Sequence, residues 1–163
     1  MNKTSKQAPD LSLSVQYAVV EPRLPRWRIR AWVRRALEAA YKDLDQSFDG
    51  ASLTVRLVGA TEARRLNASF RNKDYATNVL TFAYGMQTSR VLGGDIVICV
   101  PVLQREAKAQ RKTFLAHAAH LTLHGTLHAL GYDHVKTREA KEMESLETRV
   151  LAQMNIHNPY LLP

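Results

Sequence analysis

NVLTFAYGMQTSRVLGGDIVICV, residues 78 to 100, decides the fold. NVLTFAY is rich in β-formers and reads as a strand. DIVICV is a continuous apolar run, the pattern of a strand buried on both faces. The stretch between them, GMQTSRVLGG, is flanked by glycines and reads as a flexible hairpin tip or lid. Strands joined without a helix pair antiparallel. Upstream the connections differ. LSLSVQYAVV, residues 11 to 20, alternates apolar and polar residues and reads as a strand. Residues 25 to 41 then place Ile29, Trp32, Val33, Leu37 and Ala40 at helical spacing, with Pro25 suited to the first turn. ASLTVRLV, residues 51 to 58, is a second strand, and Thr61 is expected to cap a helix running to about residue 70. A helix between two strands lets them run parallel. Past DIVICV come two helices, the second from about Thr113 to Leu130, and a charged helix over about 136 to 154. The order implies an α+β fold: one domain, with a mixed, partly parallel sheet of about four strands covered by helices. The place of each strand in the sheet does not follow from the pattern.

At 163 residues with 45% hydrophobic content, the chain can bury a core without staples. Residues 1–10 read as a polar N-terminal extension, 11–155 as the domain and 156–163 as a C-terminal tail. Cys99 is the only cysteine, which excludes an intrachain disulfide and suits a reducing compartment. MNKTSKQAPD lacks the apolar centre of a signal peptide. No apolar stretch reaches the roughly 18 residues of a membrane span. A cytoplasmic protein with no membrane partner is the expectation.

The net charge is +8, and its placement is uneven. Residues 23 to 35 hold six arginines and no acid; Arg64, Arg65, Arg71 and Lys73 form a second cluster, and Arg105, Lys108, Arg111 and Lys112 a third. Acids gather at 43 to 49 and 139 to 147. This asymmetry suits a polyanion, though a solvated helix face explains any one cluster as well.

HGTLHALGYDH, residues 124 to 134, carries the chemistry. His124 and His128 are four apart and share one helix face, at the end of what should be a central helix. Gly131 stands where the helix can end and the chain turn back, and His134 follows. Three imidazoles leave a zinc ion with one open position, the layout of a catalytic site. The spacing H-x3-H-x5-H is also that of metzincin proteases, whose general base is a glutamate directly after the first histidine. Here that position is Gly125, so peptide hydrolysis is not expected. His117 and His120 lie on the same stripe but two turns and one turn back, too far to share the ion. They read as partly buried polar residues, with a substrate-contact or ligand-supporting role left open for His120. His157 reads as a surface residue.

Together with FRNKDYATNVLTF (70 to 82) and GDIVIC (94 to 99), the histidine run resembles the YbeY family of bacterial metalloendoribonucleases. The resemblance covers roughly residues 50 to 135. It implies a single-strand-specific endoribonuclease acting in ribosomal RNA processing, including 16S rRNA 3′ end maturation, and in ribosome quality control. It implies RNA and the ribosomal small subunit as partners, with no DNA expected. On this likeness His124, His128 and His134 would ligate one Zn2+ per chain, and Arg71 would be catalytic. A guanidinium suits phosphate because it is planar, permanently charged and can pair with two oxygens. A structural ion pair with Asp74 or Asp95 is the bland alternative for Arg71. Lys73 is a candidate phosphate contact. Asp133 and Gly131 are read as supporting the ligands, Asp133 ahead of a role as general base, which stays unassigned. Thr77 and Asn78 are expected to hold the loop backbone. Two other classes stand beside this one: an RNA-binding ribosome-assembly factor with a structural metal, and, less favoured, a metalloprotease. A closed structural site would need a fourth ligand from Cys99 or an acid, and nothing at motif spacing supplies it.

Overall fold

The computed structural model describes residues 8–133 and 136–161. Nine elements follow in order: β1 (Asp10–Tyr17), α1 (Arg26–Asp43), β2 (Gly50–Val58), α2 (Ala60–Arg71), β3 (Val79–Thr88), β4 (Val91–Cys99), α3 (Val100–Ala109), α4 (Phe114–Ala129) and α5 (Thr137–Gln153). The strands form one sheet in the order β1-β2-β4-β3. β1, β2 and β4 run parallel, and β3 is an antiparallel edge strand on β4. The α+β mixed sheet is as expected from the two kinds of connection.

Two expectations are corrected. The excursion over 85 to 94 is the hairpin tip of the two readings and not the lid, and it is shorter than expected: β3 continues to Thr88 and β4 begins at Val91, leaving a tight turn with Arg90 in the left-handed region at φ 60°. Register shifts between Ala83 and Gly85 and between Met86 and Thr88 absorb the irregular pairing. Thr61 does not cap α2; Gly59 occupies the cap position and makes no side-chain hydrogen bond. Thr113, in contrast, caps α4, its hydroxyl oxygen accepting from the Ala116 N–H at 3.1 Å.

One face of the sheet carries Val15, Leu53, Val55, Leu57, Ile96 and Ile98 and packs under α1 and α4 to form the main core. α1 contributes Ile29, Trp32, Val33, Ala36, Leu37 and Ala40, all buried. α4 is buried on most sides, while His120, His124 and His128 on its histidine stripe are only partly buried. Its internal hydroxyls are satisfied within the helix: Thr122 donates to the Ala118 carbonyl and Thr126 to that of Thr122, each at 2.7 Å. The opposite face of the sheet is only partly covered. There Leu80, Val97, Cys99 and Val58 meet Ala63 of α2 and Val102 of α3 in a smaller core.

Several arginines of the first basic cluster do structural work. Arg23 pairs with Glu21 at 2.7 Å and lies 3.5 Å over the Phe114 ring, and Arg34 donates to the Pro9 carbonyl at 2.9 Å. The hydrogen bonds from Arg23 lower the Glu21 pKa against the opposing effect of burial. A lowered carboxyl stabilises the fold above its unfolded range, near ~4.3, and loses that contribution as the pH falls through the folded value. Glu21→Gln is therefore expected to cost about 1 kcal/mol at pH 7, discounted from a buried pair because Arg23 is half exposed. The difference from the parent should vanish in strong acid, as urea unfolding at both pH values will read; an equal deficit at both would refute a charge-based origin.

Candidate metal centre

α4 ends in a Schellman turn. The Gly131 N–H donates to the His128 carbonyl and the Tyr132 N–H to that of Leu127, with Gly131 at φ 106°. The expected stop is thus present, and it needs a residue without Cβ strain. The turn brings the Tyr132 carbonyl back over the last helical turn, where it accepts a hydrogen bond from His128 Nδ1 at 2.8 Å. Tyr132 is itself anchored, its hydroxyl donating to Asp43 of α1. His128 is therefore oriented by a carbonyl that the Schellman turn positions.

His124 is oriented from another element. Its Nδ1 lies 2.6 Å from Oε1 of Glu147, on α5. Glu147 is 0% exposed. Its other oxygen accepts from His120 Nε2 at 3.2 Å and from the Tyr160 hydroxyl. Burial pushes this carboxyl up, but the hydrogen bonds from His120, His124 and Tyr160 outweigh it and hold the pKa at about 2. Burial and the same carboxylate raise the Tyr160 phenol, which stays protonated as a donor.

These partners fix the tautomers. A carbonyl and an ionised carboxylate only accept, so both Nδ1 atoms carry hydrogen and both Nε2 atoms of neutral rings present lone pairs. The two Nε2 atoms face each other at 3.2 Å. Two lone pairs at that distance repel unless a cation lies between them. Tetrahedral bonds of about 2.0–2.1 Å would separate two ligand nitrogens by about 3.3 Å. The donor set fits a metal ion, and the carboxylate–histidine arrangement is the support that such ligands commonly have.

The third residue of the motif, His134, lies outside the described residues. A second grouping exists: His120, His124 and Glu147 place ligand atoms within 4.8 Å of one another and could hold an ion. In that grouping the histidine nitrogens point at the carboxylate as hydrogen-bond donors, whereas the His124 and His128 Nε2 atoms point at each other.

His124 and His128 open into a cavity of about 640 Å³ that also takes in Arg71, Phe70, Asp133 and Tyr132. Arg71, at the C-terminus of α2, is exposed, and neither bland partner is engaged with it: Asp74 pairs with Arg64 at 2.7 Å and Asp95 accepts from the Tyr84 hydroxyl at 2.7 Å. Asn78 holds the loop as expected, its Oδ1 accepting from the Val79 N–H and its Nδ2 donating to Glu106. Lys73 is exposed and lies outside the cavity lining. His120 sits behind Glu147 and lines a different cavity with the C-terminal segment, so it supports His124 through the shared carboxylate instead of meeting the cavity. His117 is buried and its Nε2 lies 3.1 Å from Glu106; burial lowers its pKa against the raising effect of that carboxylate. Cys99 is buried in the smaller core, away from the histidines.

Gly125 has its own reason. A Cβ there would lie 2.7 Å from the Ile96 Cγ2 and 3.2 Å from the Val79 Cγ2, so this position faces the sheet and not the cavity. The missing protease base is a packing requirement. Gly125→Ala should gain about 1 kcal/mol of helix propensity and lose about 1–3 to overpacking, a net loss visible as a lower thermal midpoint. A rise in the midpoint would show that the sheet can yield.

Glu147 is the residue that reading the sequence missed. The signal was present, because Met143, Leu146, Val150 and Leu151 form the buried stripe of α5 and Glu147 falls among them. A lone acid on an apolar stripe needs a buried partner.

Residues 17–155 match the family described as Endoribonuclease YbeY. The chain is 64% identical to the Endoribonuclease YbeY of Bordetella avium over 154 residues, covering 94% of this chain and 96% of that one. It is 47% identical to that of Thiobacillus denitrificans, covering 94% and 98%. The solution structure of TM1509 from Thermotoga maritima superposes with a TM-score of 0.54 at 20% identity, over 88% of this chain and 91% of that one, which shows a shared fold. With this likeness running almost end to end, the chain belongs to the YbeY endoribonuclease family.

Proposed function

We propose that this chain is a zinc-dependent endoribonuclease that hydrolyses phosphodiesters in single-stranded RNA, with His124, His128 and His134 holding one zinc ion. The observation that carries the reading is the pair of Nε2 atoms facing each other across 3.2 Å beside a cavity that contains Arg71. An ion held there supplies Lewis acidity at neutral pH. The chain's own residues do the rest. Glu147 and the Tyr132 carbonyl hold the imidazoles in their tautomers, and Arg71 grips the scissile phosphate through two N–H groups. Asp133, on the cavity wall, supports the ligands. We assign the activity to ribosomal RNA processing in the cytoplasm, 16S rRNA 3′ end maturation and ribosome quality control included, with the ribosomal small subunit as the setting. Among the described residues no helix is long and apolar enough to cross a membrane.

The test is cleavage of end-labelled single-stranded RNA by purified protein, before and after chelation and zinc return. Arg71→Ala is expected to reduce the rate by about 100-fold, the scale of losing one charge-stabilising donor, with metal content unchanged. Lys73→Ala should weaken binding only. Parental cleavage by Arg71→Ala, or by metal-free protein, would reject the proposal. A second reading, an RNA-binding assembly factor with a structural ion, is favoured by the His120, His124 and Glu147 grouping. It predicts that chelation lowers the melting temperature while RNA binding survives and no cleavage is ever seen.

A further inference from the structure

We infer that single-stranded RNA enters the site along a groove on the open face of the sheet, with bases stacked on Phe70 and Tyr84; this rests on the endoribonuclease reading and gives it a substrate track. The partly covered face leaves a groove of about 590 Å³ between α2 and the strands. Phe70 and Phe82 line both this groove and the histidine cavity, so the two spaces meet at that pair. Phe70 is 64% exposed, an unusual position for a large apolar ring on a helix end, and stands edge-on to Phe82 at 5.1 Å. Tyr84 is 54% exposed and is held by its hydroxyl on Asp95, which fixes the ring at the groove wall. Exposed aromatic rings held rigid beside arginines are the platform on which unpaired bases stack.

The groove lining balances Arg56 and Arg65 against Glu62 and Asp95, so the rings come first and the arginines toward the cavity second. Arg56 is neutralised by Glu62 at 2.6 Å, and Asp95 accepts from the Tyr84 hydroxyl while keeping its negative charge. Arg65 lines the groove, close enough to Glu62 to help lower its pKa, and Arg71 lines the cavity; neither is within salt-bridge distance of an acid among the described residues. The path therefore offers two cations to phosphates and two rings to bases, and it ends at His124 and His128. A duplex cannot use it, because its bases are already stacked.

The experiment is fluorescence anisotropy with a labelled, cleavage-resistant 2′-O-methyl RNA 12-mer on zinc-loaded protein. Stacking contacts of this kind lower affinity on removal by roughly 5- to 100-fold. Phe70→Leu, which keeps an apolar contact on Phe82, and Tyr84→Leu should each raise Kd within that range, and Phe70→Trp should restore it. An oligomer of abasic units should bind parent and Phe70→Leu alike. Arg65→Gln should instead lower the slope of log Kd against log salt by about one phosphate contact. Unchanged Kd for both ring variants overturns the track, as does a parent that binds no single-stranded RNA. Cleavage of unmodified RNA by the parent is scored in parallel, so an active parent with indifferent rings rejects the track alone, and an inactive one rejects the nuclease reading.

Discussion

Glu147→Ala is expected to be about 3–5 kcal/mol less stable than the parent, the cost of removing one partner from a buried charged network. The substitution would leave His120, the His124 Nδ1–H and the Tyr160 hydroxyl without their shared acceptor, a carboxylate that is itself 0% exposed. Urea unfolding measures this. Glu147→Gln keeps the shape and one carbonyl oxygen that can still accept from His124, and it should fold. Its zinc affinity, read by competition with a chromophoric chelator, should fall by about 10- to 100-fold, as when an outer hydrogen-bond partner of a ligand is weakened. Total loss of metal from a well-folded Glu147→Gln would make the carboxylate a ligand and reverse the assignment. A Glu147→Ala protein as stable as the parent would show that the network contributes little.

His128→Ala and His120→Ala should part company. His128→Ala removes one of the two facing Nε2 atoms and is expected to lower both bound zinc and RNA cleavage by two orders of magnitude or more. His120→Ala removes a hydrogen bond to Glu147 and leaves the His124–His128 pair in place, so metal should be retained and cleavage reduced by no more than about 10-fold. Metal analysis of untagged protein and initial rates on the same single-stranded RNA decide it. The opposite pattern, metal lost with His120 and kept without His128, would place the ion in the His120, His124 and Glu147 grouping.

Much of the fold was legible locally. The alternation that begins at residue 11, the helical stripe of α1 and the apolar run DIVICV each depend on near neighbours, and each formed its element, though β1 stops at Tyr17 and Val100 already belongs to α3. The hairpin tip at 89 and 90 is shorter than the glycines at 85, 93 and 94 suggest. Two of them serve contact instead, since a Cβ on Gly93 would meet Gln87 at 2.6 Å and one on Gly94 would meet Ala129 at 2.8 Å, while Gly85 sits at φ 70° in open space. Sequence pattern cannot separate a flexible glycine from one that admits a neighbour.

The histidine run is the clearest case of what each level decides. By itself the sequence determined the helical pitch that aligns His124 with His128 and the Gly131 stop that turns the chain, because both follow from backbone geometry within eight residues. Tertiary structure alone decided which nitrogen of each ring faces the other. That choice belongs to Glu147 on a later helix, to the Tyr132 carbonyl and to Asp43 behind it, and hydrogen bonds between elements distant in the chain exist only once the core has packed.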